Sequence, residues 1–249
     1  MTIRQCIVAI AAIAVSVVAS AAAAALPPLA ADSAALDRSY IPALMLSNGK
    51  DPAKAAAAQA AYDKAWAEFA ARQRDAQPGN AGWSKMFATI EKANADARAA
   101  LAAGKLKDAH NAQEEVRHAL WHERKALGVA YQPDLLTAFH APMELLIDAV
   151  QDKAPATIGA AEIAKMRPLL AQARGEWQAV KSARWSPEDY GLDAARAESY
   201  RAAVAAVDQA LDQLAVALDS GDGVRIAKAA PAIKPPFAKA YAAFGVFPQ

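Results

Sequence analysis

The feature that most restricts the fold of this chain is its alanine content. Alanine accounts for 71 of the 249 residues, whereas glycine accounts for 11. Alanine has the highest helix propensity of all residues, and the chain contains no alternating run of β-branched residues that would predict a strand. Apolar residues instead recur three and four positions apart, as in Tyr62, Trp66 and Phe69, a spacing typical of amphipathic helices. We therefore predict an all-α protein.

Glycine, proline and asparagine turns divide the chain into eight predicted helices. These are 35–48, 51–76, 82–103, 105–127, 134–152, 160–183, 190–219 and 222–244. Short connections between amphipathic helices favour antiparallel neighbours and bundles of four. We predict two tandem antiparallel four-helix bundles, the first over 32–128 and the second over 134–249.

An internal repeat supports the division into two bundles. Gly104 is followed after 24 residues by Gly128 in the sequence ALGV, and Gly221 is followed after 24 residues by Gly245 in AFGV. The fourth and eighth predicted helices therefore align without a gap, and we interpret the two bundles as the product of an internal duplication.

The first 25 residues have the layout of a secretory signal peptide. Arg4 precedes an apolar run and then a series of small residues, so we predict cleavage between Ala24 and Asp32 and export, to the periplasm in a Gram-negative source. The signal contains Cys6, the only cysteine. The mature chain would therefore have no disulfide, no thiolate metal ligand and no covalent haem attachment.

The charge of the mature chain excludes several classes of partner. Without Arg4, 26 basic and 26 acidic residues balance, which argues against binding to nucleic acid. No later apolar segment is long enough to span a bilayer. No phosphate-binding loop and no nucleophile with a paired base is present, so we predict a protein that is not an enzyme.

The histidines are the candidate functional residues. His118 and His122 are four residues apart on the fourth predicted helix, and His140 and Glu144 are four apart on the fifth, so each pair lies on one helix face. All four histidines lie within 110–140. The fourth, His110, is expected to be exposed to solvent rather than to act as a ligand.

The second half of the repeat does not contain these histidines. Its register places Pro235 opposite His118 and Lys239 opposite His122. A polar stripe needed only for packing would have apolar counterparts, so the difference indicates a local specialisation of the first half. The proline at 235 also predicts a loss of regular helix in the second half.

A metal site between the fourth and fifth helices is predicted from the expected positions of two pairs of residues, His118 with His122 and His140 with Glu144. His122 lies about 8 Å before the end of its helix, and His140 lies about 9 Å after the start of the next helix. His118 and Glu144 lie about 14 and 15 Å from the same two helix ends. Three imidazoles and a carboxylate suit zinc, iron or copper. We predict His118, His122, His140 and Glu144 as ligands of one transition metal ion.

Further residues near this site have secondary roles in the prediction. Glu115 and Asp148 lie one turn deeper and could orient the imidazoles, and Met143 is a ligand only for copper(I). An alternative interpretation is that the histidines form an ordinary solvated helix face. Pro142 favours that alternative, because a proline inside the fifth helix would rotate His140 relative to Glu144.

The run AALAAGKLKDAHNAQEEVRHALWHERKALG, residues 99–128, resembles the last helical hairpin of the cytochrome c-prime and soluble b-type four-helix cytochrome superfamily. The resemblance implies an electron-transfer bundle that binds haem b without a covalent bond and exchanges electrons with a redox partner protein. Met45 and His122 are the counterparts of the axial ligands in the b-type members. Aligned on Gly104, however, the haem histidine of the family falls nearer Arg124. The possible walls of the haem pocket are Trp66, Phe69 and Phe87.

The run FHAPMELL resembles the His-x-x-Glu element of imelysin-like periplasmic proteins linked to iron handling, although His140 and Glu144 are one residue further apart. A third possibility is an interaction protein whose helical faces bind a partner without metal or haem. Metal binding, haem binding and partner binding are the three functions that the sequence leaves open.

Overall fold

The computed structural model describes residues 27–248, and in this part of the chain every regular element is helical. The α-helices are α1 (Pro28–Ser47), α2 (Pro52–Gln73), α3 (Ala81–Ala102), α4 (Leu106–Ala126), α5 (Gln132–Asp148), α6 (Ala160–Ser182), α7 (Ala194–Ser220), α8 (Gly223–Ala229) and α9 (Lys234–Ala242). The predicted all-α class is confirmed. The predicted signal peptide, 1–25, lies outside the described residues. None of the described helices has the length and apolar character needed to cross a membrane.

Aspartates and glycines set several of the helix ends. The Asp51 side chain accepts hydrogen bonds from the first turn of α2, and Asp193 and Asp222 do the same for α7 and α8, which satisfies backbone N–H groups that have no partner within the helix. Gly128 and Gly221 follow α4 and α7 with φ of 67° and 68°, a conformation that costs glycine little. The turn residues that divided the sequence therefore do end these helices.

The eighth predicted helix, 222–244, is wrong as a single element. The chain forms α8, then a short 3-10 turn over Pro231–Ile233, and then α9. Pro231 has no N–H to donate to the preceding turn, so α8 stops before it. Pro235 and the next proline lie in the first turn of α9, where a missing N–H leaves no helical hydrogen bond unmade. The predicted start of the first helix at residue 35 is also wrong, because α1 begins at Pro28.

The first four helices pack in a ring, in which α1 contacts α2 and α4, and α3 contacts the same two helices. Side-chain contacts define the directions of α1 and α4. Ser47 near the end of α1 contacts His110 near the start of α4, and Ser33 near the start of α1 contacts Arg124 near the end of α4. The two helices are therefore antiparallel.

The remaining helices pack in the order α5, α6, α7 and α9, and α9 returns to contact α5. Lys181 pairs with Asp208, and Arg167 pairs with Asp219, so α6 and α7 also run antiparallel. The buried apolar residues of both sets form one continuous core. The origin of the two sets by duplication stays a prediction.

The segment after α9 packs back against α1. The backbone N–H of Val246 donates to the carbonyl oxygen of Arg38 at 2.7 Å, and Arg196 on α7 donates to the carbonyl oxygen of Gly245 at 2.9 Å. A Cβ atom on Gly245 would lie 2.9 Å from the ring of Pro42, so a larger residue would not fit without movement. These contacts attach the end of the second helical set to the first helix.

Candidate functional site: two charged clusters between α4 and α5

The orientation of α4 decides which of its side chains meet the rest of the molecule. Its buried residues are Ala109, Gln113, Val116, Arg117, Leu120, Glu123 and Arg124. The side chains of His118 and His122 lie outside this face and are 50% and 77% exposed. The helix therefore directs two arginines, and neither of these two histidines, toward the rest of the protein.

The histidine cluster consists of Glu114 and Arg117 on α4, His140 and Glu144 on α5, and Lys234 on α9. Arg117 donates a hydrogen bond to Nδ1 of His140 at 2.9 Å and also pairs with Glu114. Lys234 Nζ lies 2.8 Å from Oε1 of Glu144, and Nε2 of His140 lies 3.3 Å from the same oxygen. Because a guanidinium only donates, we assign Nδ1 of His140 as an acceptor and place the proton on Nε2, facing Glu144.

The protonation states in this cluster follow from burial and from the neighbouring charges. Burial lowers the pKa of His140, while the hydrogen bond to Glu144 opposes that effect. Burial alone would raise the pKa of Glu144, but hydrogen bonds from His140 and Lys234 hold that pKa at about 2. At neutral pH His140 is therefore neutral and Glu144 is ionised, so the charges of the two carboxylates and the two cations cancel.

His118 lies at the edge of the histidine cluster. Burial, followed by the charge of Arg117, lowers the pKa of His118, and the charge of Glu114 opposes these effects. The Nε2 atom of His118 is 4.0 Å from Glu114. Its imidazole is therefore close enough to the cluster to respond to it electrostatically while half of the side chain faces solvent.

The structure brings together only part of the predicted metal site. His140 and Glu144 are adjacent, but His122 lies apart, with Nδ1 3.7 Å from Glu123. Glu115 and Asp148 are exposed. Within residues 27–248 no group of three or more histidine, cysteine, aspartate or glutamate side chains is arranged to hold a metal ion.

The register of α4 against α5 explains this difference. Arg117 meets His140 and Arg124 meets Asp134, so the position of His122 lies opposite the early part of α5 and not opposite His140. The sequence-based estimate used helix ends at 127 and 134, whereas the helices end at 126 and begin at 132. The observed register is shifted by about one helical turn from the expected one.

The structure does not bring Met45 and His122 together as haem ligands. Met45 lies at the end of α1 that contacts His110, and His122 lies near Arg124 at the other end of the α1 and α4 pair. Twelve residues of helix separate positions 110 and 122, a rise of about 18 Å. The proposed haem walls Trp66, Phe69 and Phe87 are buried and pack on one another, with ring centroids 5.3–6.2 Å apart.

His110 differs from its expected exposure. It is partly buried, and its Nδ1 lies 3.0 Å from the carbonyl oxygen of Leu44. Its Nε2 lies 3.6 Å from Glu114. His110 is therefore less exposed than expected, since its imidazole contacts both α1 and its own helix.

A second group of charged residues, which the sequence reasoning missed, lies where the chain passes from α4 to α5. We define this turn cluster as Asp37, Arg124, Tyr131 and Asp134. Arg124 donates two hydrogen bonds to the Asp134 carboxylate at 2.9 and 2.5 Å, and its guanidinium lies 4.5 Å from the centre of the Tyr131 ring. The Tyr131 hydroxyl donates to Asp37 at 2.7 Å. None of the four residues is more than 8% exposed.

Burial dominates the electrostatics of the turn cluster. Burial raises the pKa of Asp37 to about 6, although the charge of Arg124 and the hydrogen bond from Tyr131 act in the opposite direction. Burial also raises the pKa of Asp134, and Arg124 again opposes the effect. The single buried guanidinium therefore has to balance two carboxylates.

A sequence signal for the turn cluster was available. Arg117 and Arg124 are seven residues apart, on the same helix face as Val116 and Leu120. A spacing of three, four and seven along one face is typical of buried positions, and it would have predicted that both arginines face the protein interior. Arg124 is also the position near which the cytochrome resemblance places the haem histidine.

Two grooves of about 290 and 310 Å³ lie between α6 and α7, with Lys181 shared by both. Neither groove is lined by a residue of the histidine cluster or of the turn cluster, so both clusters are contacts between helices and not the walls of these grooves. Comparison of the chain with models of protein families, with curated proteins and with solved structures finds no match.

Proposed function

We propose that this protein is an exported helical protein, not an enzyme, that binds a transition metal ion, namely zinc, copper or iron, through His140 and Glu144. The observation that carries the proposal is the distance of 3.3 Å between Nε2 of His140 and Oε1 of Glu144. Two ligand atoms that are each about 2.1 Å from a tetrahedral ion are about 3.4 Å apart. The pair therefore has the separation of two adjacent ligands.

The protonation states support the same proposal. A metal ion binds imidazole through an unprotonated nitrogen and binds a carboxylate in its ionised form. The pKa of Glu144 is about 2, so this carboxylate is already ionised at neutral pH, and burial lowers the pKa of His140, so its imidazole is neutral. The Nε2 proton of His140 has to pass to solvent or to Nδ1 when the metal ion binds, and transfer to Nδ1 requires that Arg117 move away from that nitrogen. In this proposal His118 becomes the third ligand by a change of its side-chain conformation, since it is half exposed at the edge of the cluster, with Nε2 4.0 Å from Glu114.

Lys234 competes with a metal ion for this site. Its ammonium group lies 2.8 Å from the same oxygen of Glu144 that faces His140. A metal ion has to displace the ammonium group, because two cations cannot share that oxygen without strong repulsion. Removal of the lysine charge is therefore expected to strengthen metal binding, which distinguishes this site from a site elsewhere on the surface.

The test is calorimetric titration of zinc, copper(II) and iron(II) into protein without a His-tag. We expect His140→Ala and Glu144→Gln each to weaken binding more than tenfold, or about 1.4 kcal/mol. Lys234→Met is expected to tighten it. The matched control is His122→Ala, which removes an exposed imidazole from the same helix pair and is expected to have little effect. If neither the wild type nor Lys234→Met binds any of the three ions at micromolar concentration, the proposal is wrong.

A second candidate function is a metal-free interaction protein. The observation that favours it is the charge balance of the histidine cluster, where Arg117 and Lys234 already neutralise Glu114 and Glu144. In this case the cluster holds α4, α5 and α9 together, and the helical surfaces bind a partner. The same titration separates the two candidate functions, because a metal-free interaction protein requires that Lys234→Met bind no metal.

A further inference from the structure

The larger of the two grooves between α6 and α7 has an apolar floor. Its volume is about 310 Å³, at the lower end of the range for sites that enclose a small organic molecule. Six of its lining residues are apolar or aromatic, namely Val180, Trp185, Pro187, Ala197, Tyr200 and Val204. Val180, Ala197 and Tyr200 are each at most 5% exposed and form the floor. The other three are partly exposed and form the sides.

The aromatic part of this lining is held in place by contacts within the protein. The ring of Trp185 meets the rings of Tyr190 and Tyr200 edge to face, with centroids 5.4 and 5.0 Å apart. The Tyr200 hydroxyl accepts a hydrogen bond from the side chain of Gln132 at 2.7 Å. Phe244 also contacts Trp185, with centroids 5.6 Å apart. Because these rings are already ordered, a ligand that packs against Trp185 loses little free energy to the ordering of side chains.

Two cationic side chains lie at the rim of the groove. Lys181 and Arg201 complete its lining, and their side chains are 34% and 61% exposed. Lys181 pairs with Asp208, which lines the smaller groove instead. Arg201 pairs with Glu198, which lines neither groove. The lining of the larger groove therefore carries two positive charges and, among the described residues, no carboxylate.

The smaller groove differs in its charge. Its charged lining residues are Arg174, Lys181, Asp208 and Asp212, so two positive charges face two negative ones. Arg174 also donates a hydrogen bond directly to Asp212. An anion would meet repulsion as well as attraction in this groove, so charge complementarity favours the larger one.

We propose that the larger groove binds a small organic anion, whose apolar ring packs against Trp185 and whose acidic group, such as a carboxylate, pairs with Arg201 at the rim. The ion pair between Arg201 and Glu198 does not prevent this, because both side chains are largely exposed and such pairs contribute little to stability. The ligand anion takes the place of Glu198, which then bonds to solvent. None of these residues belongs to the proposed metal site, so the two proposals are independent.

The test uses two fluorescent probes that share one ring skeleton. The first, 1-anilinonaphthalene-8-sulfonate, carries an acidic group, and the second, N-phenyl-1-naphthylamine, is the same skeleton without that group. Each probe is titrated into the protein, and its fluorescence reports transfer from water to an apolar site. We expect saturable binding of the sulfonate probe at one site per chain, with Kd below about 1 mM.

Two substitutions separate the contribution of the apolar lining from that of the charge. Val204→Trp fills the groove and is expected to weaken the binding of both probes more than about tenfold. Arg201→Gln is expected to weaken binding of the sulfonate probe about three- to fivefold and to leave that of the uncharged probe unchanged. The matched control is Arg174→Gln, which removes an exposed cation from the smaller groove and is expected to change the binding of neither probe.

Three outcomes would overturn the proposal. If Arg201→Gln weakens the binding of both probes equally, or of neither, the groove does not recognise an anion. Unchanged binding to Val204→Trp would place the probes elsewhere on the protein. If neither probe binds the wild type, the groove suits a macromolecule, such as a helix of another protein, and not a small organic anion.

Discussion

The histidine cluster and the turn cluster both join α4 to α5 through an arginine, yet they differ in their access to water. In the histidine cluster, the carboxylate side chains of Glu114 and Glu144 are 21% and 27% exposed. In the turn cluster, the Asp134 side chain is 10% exposed and Asp37 is 3% exposed. Water can replace a lost partner in the first cluster but not in the second, so the same kind of ion pair has different consequences.

This difference also separates the possible roles of the two clusters. A carboxylate in a partly exposed side chain can exchange one cation for another, as the metal proposal requires of Glu144 and Lys234. The exchange also requires that Lys234 move away, because the oxygen that it contacts, Oε1, is itself buried. A carboxylate sealed inside the protein cannot do so without unfolding, because an unpaired buried charge is very costly. We therefore assign the turn cluster to stability and consider only the histidine cluster as a binding site.

The largest expected effect is that of Arg124→Met. The substitution leaves Asp37 and Asp134 without a buried cation, and loss of one partner of a buried ion pair typically costs about 3–5 kcal/mol. We expect the free energy of unfolding in urea at pH 7 to fall by that amount. A loss below about 1 kcal/mol would show that water reaches the turn cluster.

Asp37→Asn is expected to have the next largest effect, with a size that depends on pH. Burial raises the pKa of Asp37 from 3.8 to about 6, so the folded protein holds this proton more tightly than the unfolded chain does. Ionisation of Asp37 therefore costs stability above pH 6, on the order of 3 kcal/mol, and this cost disappears as the pH falls from 6 toward 4.

Unfolding measured between pH 4 and pH 8 tests this expectation. Asp37→Asn should be more stable than the wild type at pH 8 and similar to it near pH 4. The matched control is Asp212→Asn, an aspartate whose side chain is 75% exposed, for which we expect little change in the free energy of unfolding. A lower stability of Asp37→Asn at pH 8 would mean that the interaction with Arg124 outweighs the burial of the carboxylate.

Arg117→Met is expected to cost less than Arg124→Met, although both arginines are 4% exposed. It removes the donors of Glu114 and His140, but these side chains are 21% and 20% exposed and can bond to water. We expect a loss of about 1–2 kcal/mol in urea unfolding. An equal loss of unfolding free energy for Arg117→Met and Arg124→Met would show that the two clusters do not differ in their access to water.

The smallest effect is expected at a fully solvated pair on α7. The side chains of Arg201 and Glu198 are 61% and 72% exposed, and ion pairs of this kind contribute about 0–1 kcal/mol. Arg201→Ala should therefore change the free energy of unfolding by less than about 0.5 kcal/mol. A larger change would show that exposure alone does not rank these ion pairs.

The helical elements could be predicted from the sequence because their signals are local. Alanine content, aspartate caps and turn glycines act over a few residues, and α4 follows its expected bounds within one residue at each end. The prediction of the eighth helix was wrong because it continued the helix through Pro231, before which α8 ends. The loss of regular helix was expected at Pro235, which instead lies in the first turn of α9.

The site was harder to predict because it depends on the register between two helices. The predicted start of α5 was two residues too late, and the length of the connection also affects the register. His140 was therefore expected at the level of His122 but lies at the level of Arg117. In addition, the orientation of α4 about its axis places His122 on the exposed face of the helix. Such offsets come from packing between distant residues, for which a single sequence has no local signal.

The contact between Val246 and Arg38 has a consequence for the speed of folding. Its partners are 208 positions apart, so this hydrogen bond closes a loop that contains most of the chain. Folding slows as native contacts connect residues more distant in sequence, whereas helical hairpins form quickly. We therefore expect the hairpins to form early and the docking of Gly245 against α1 to complete folding last.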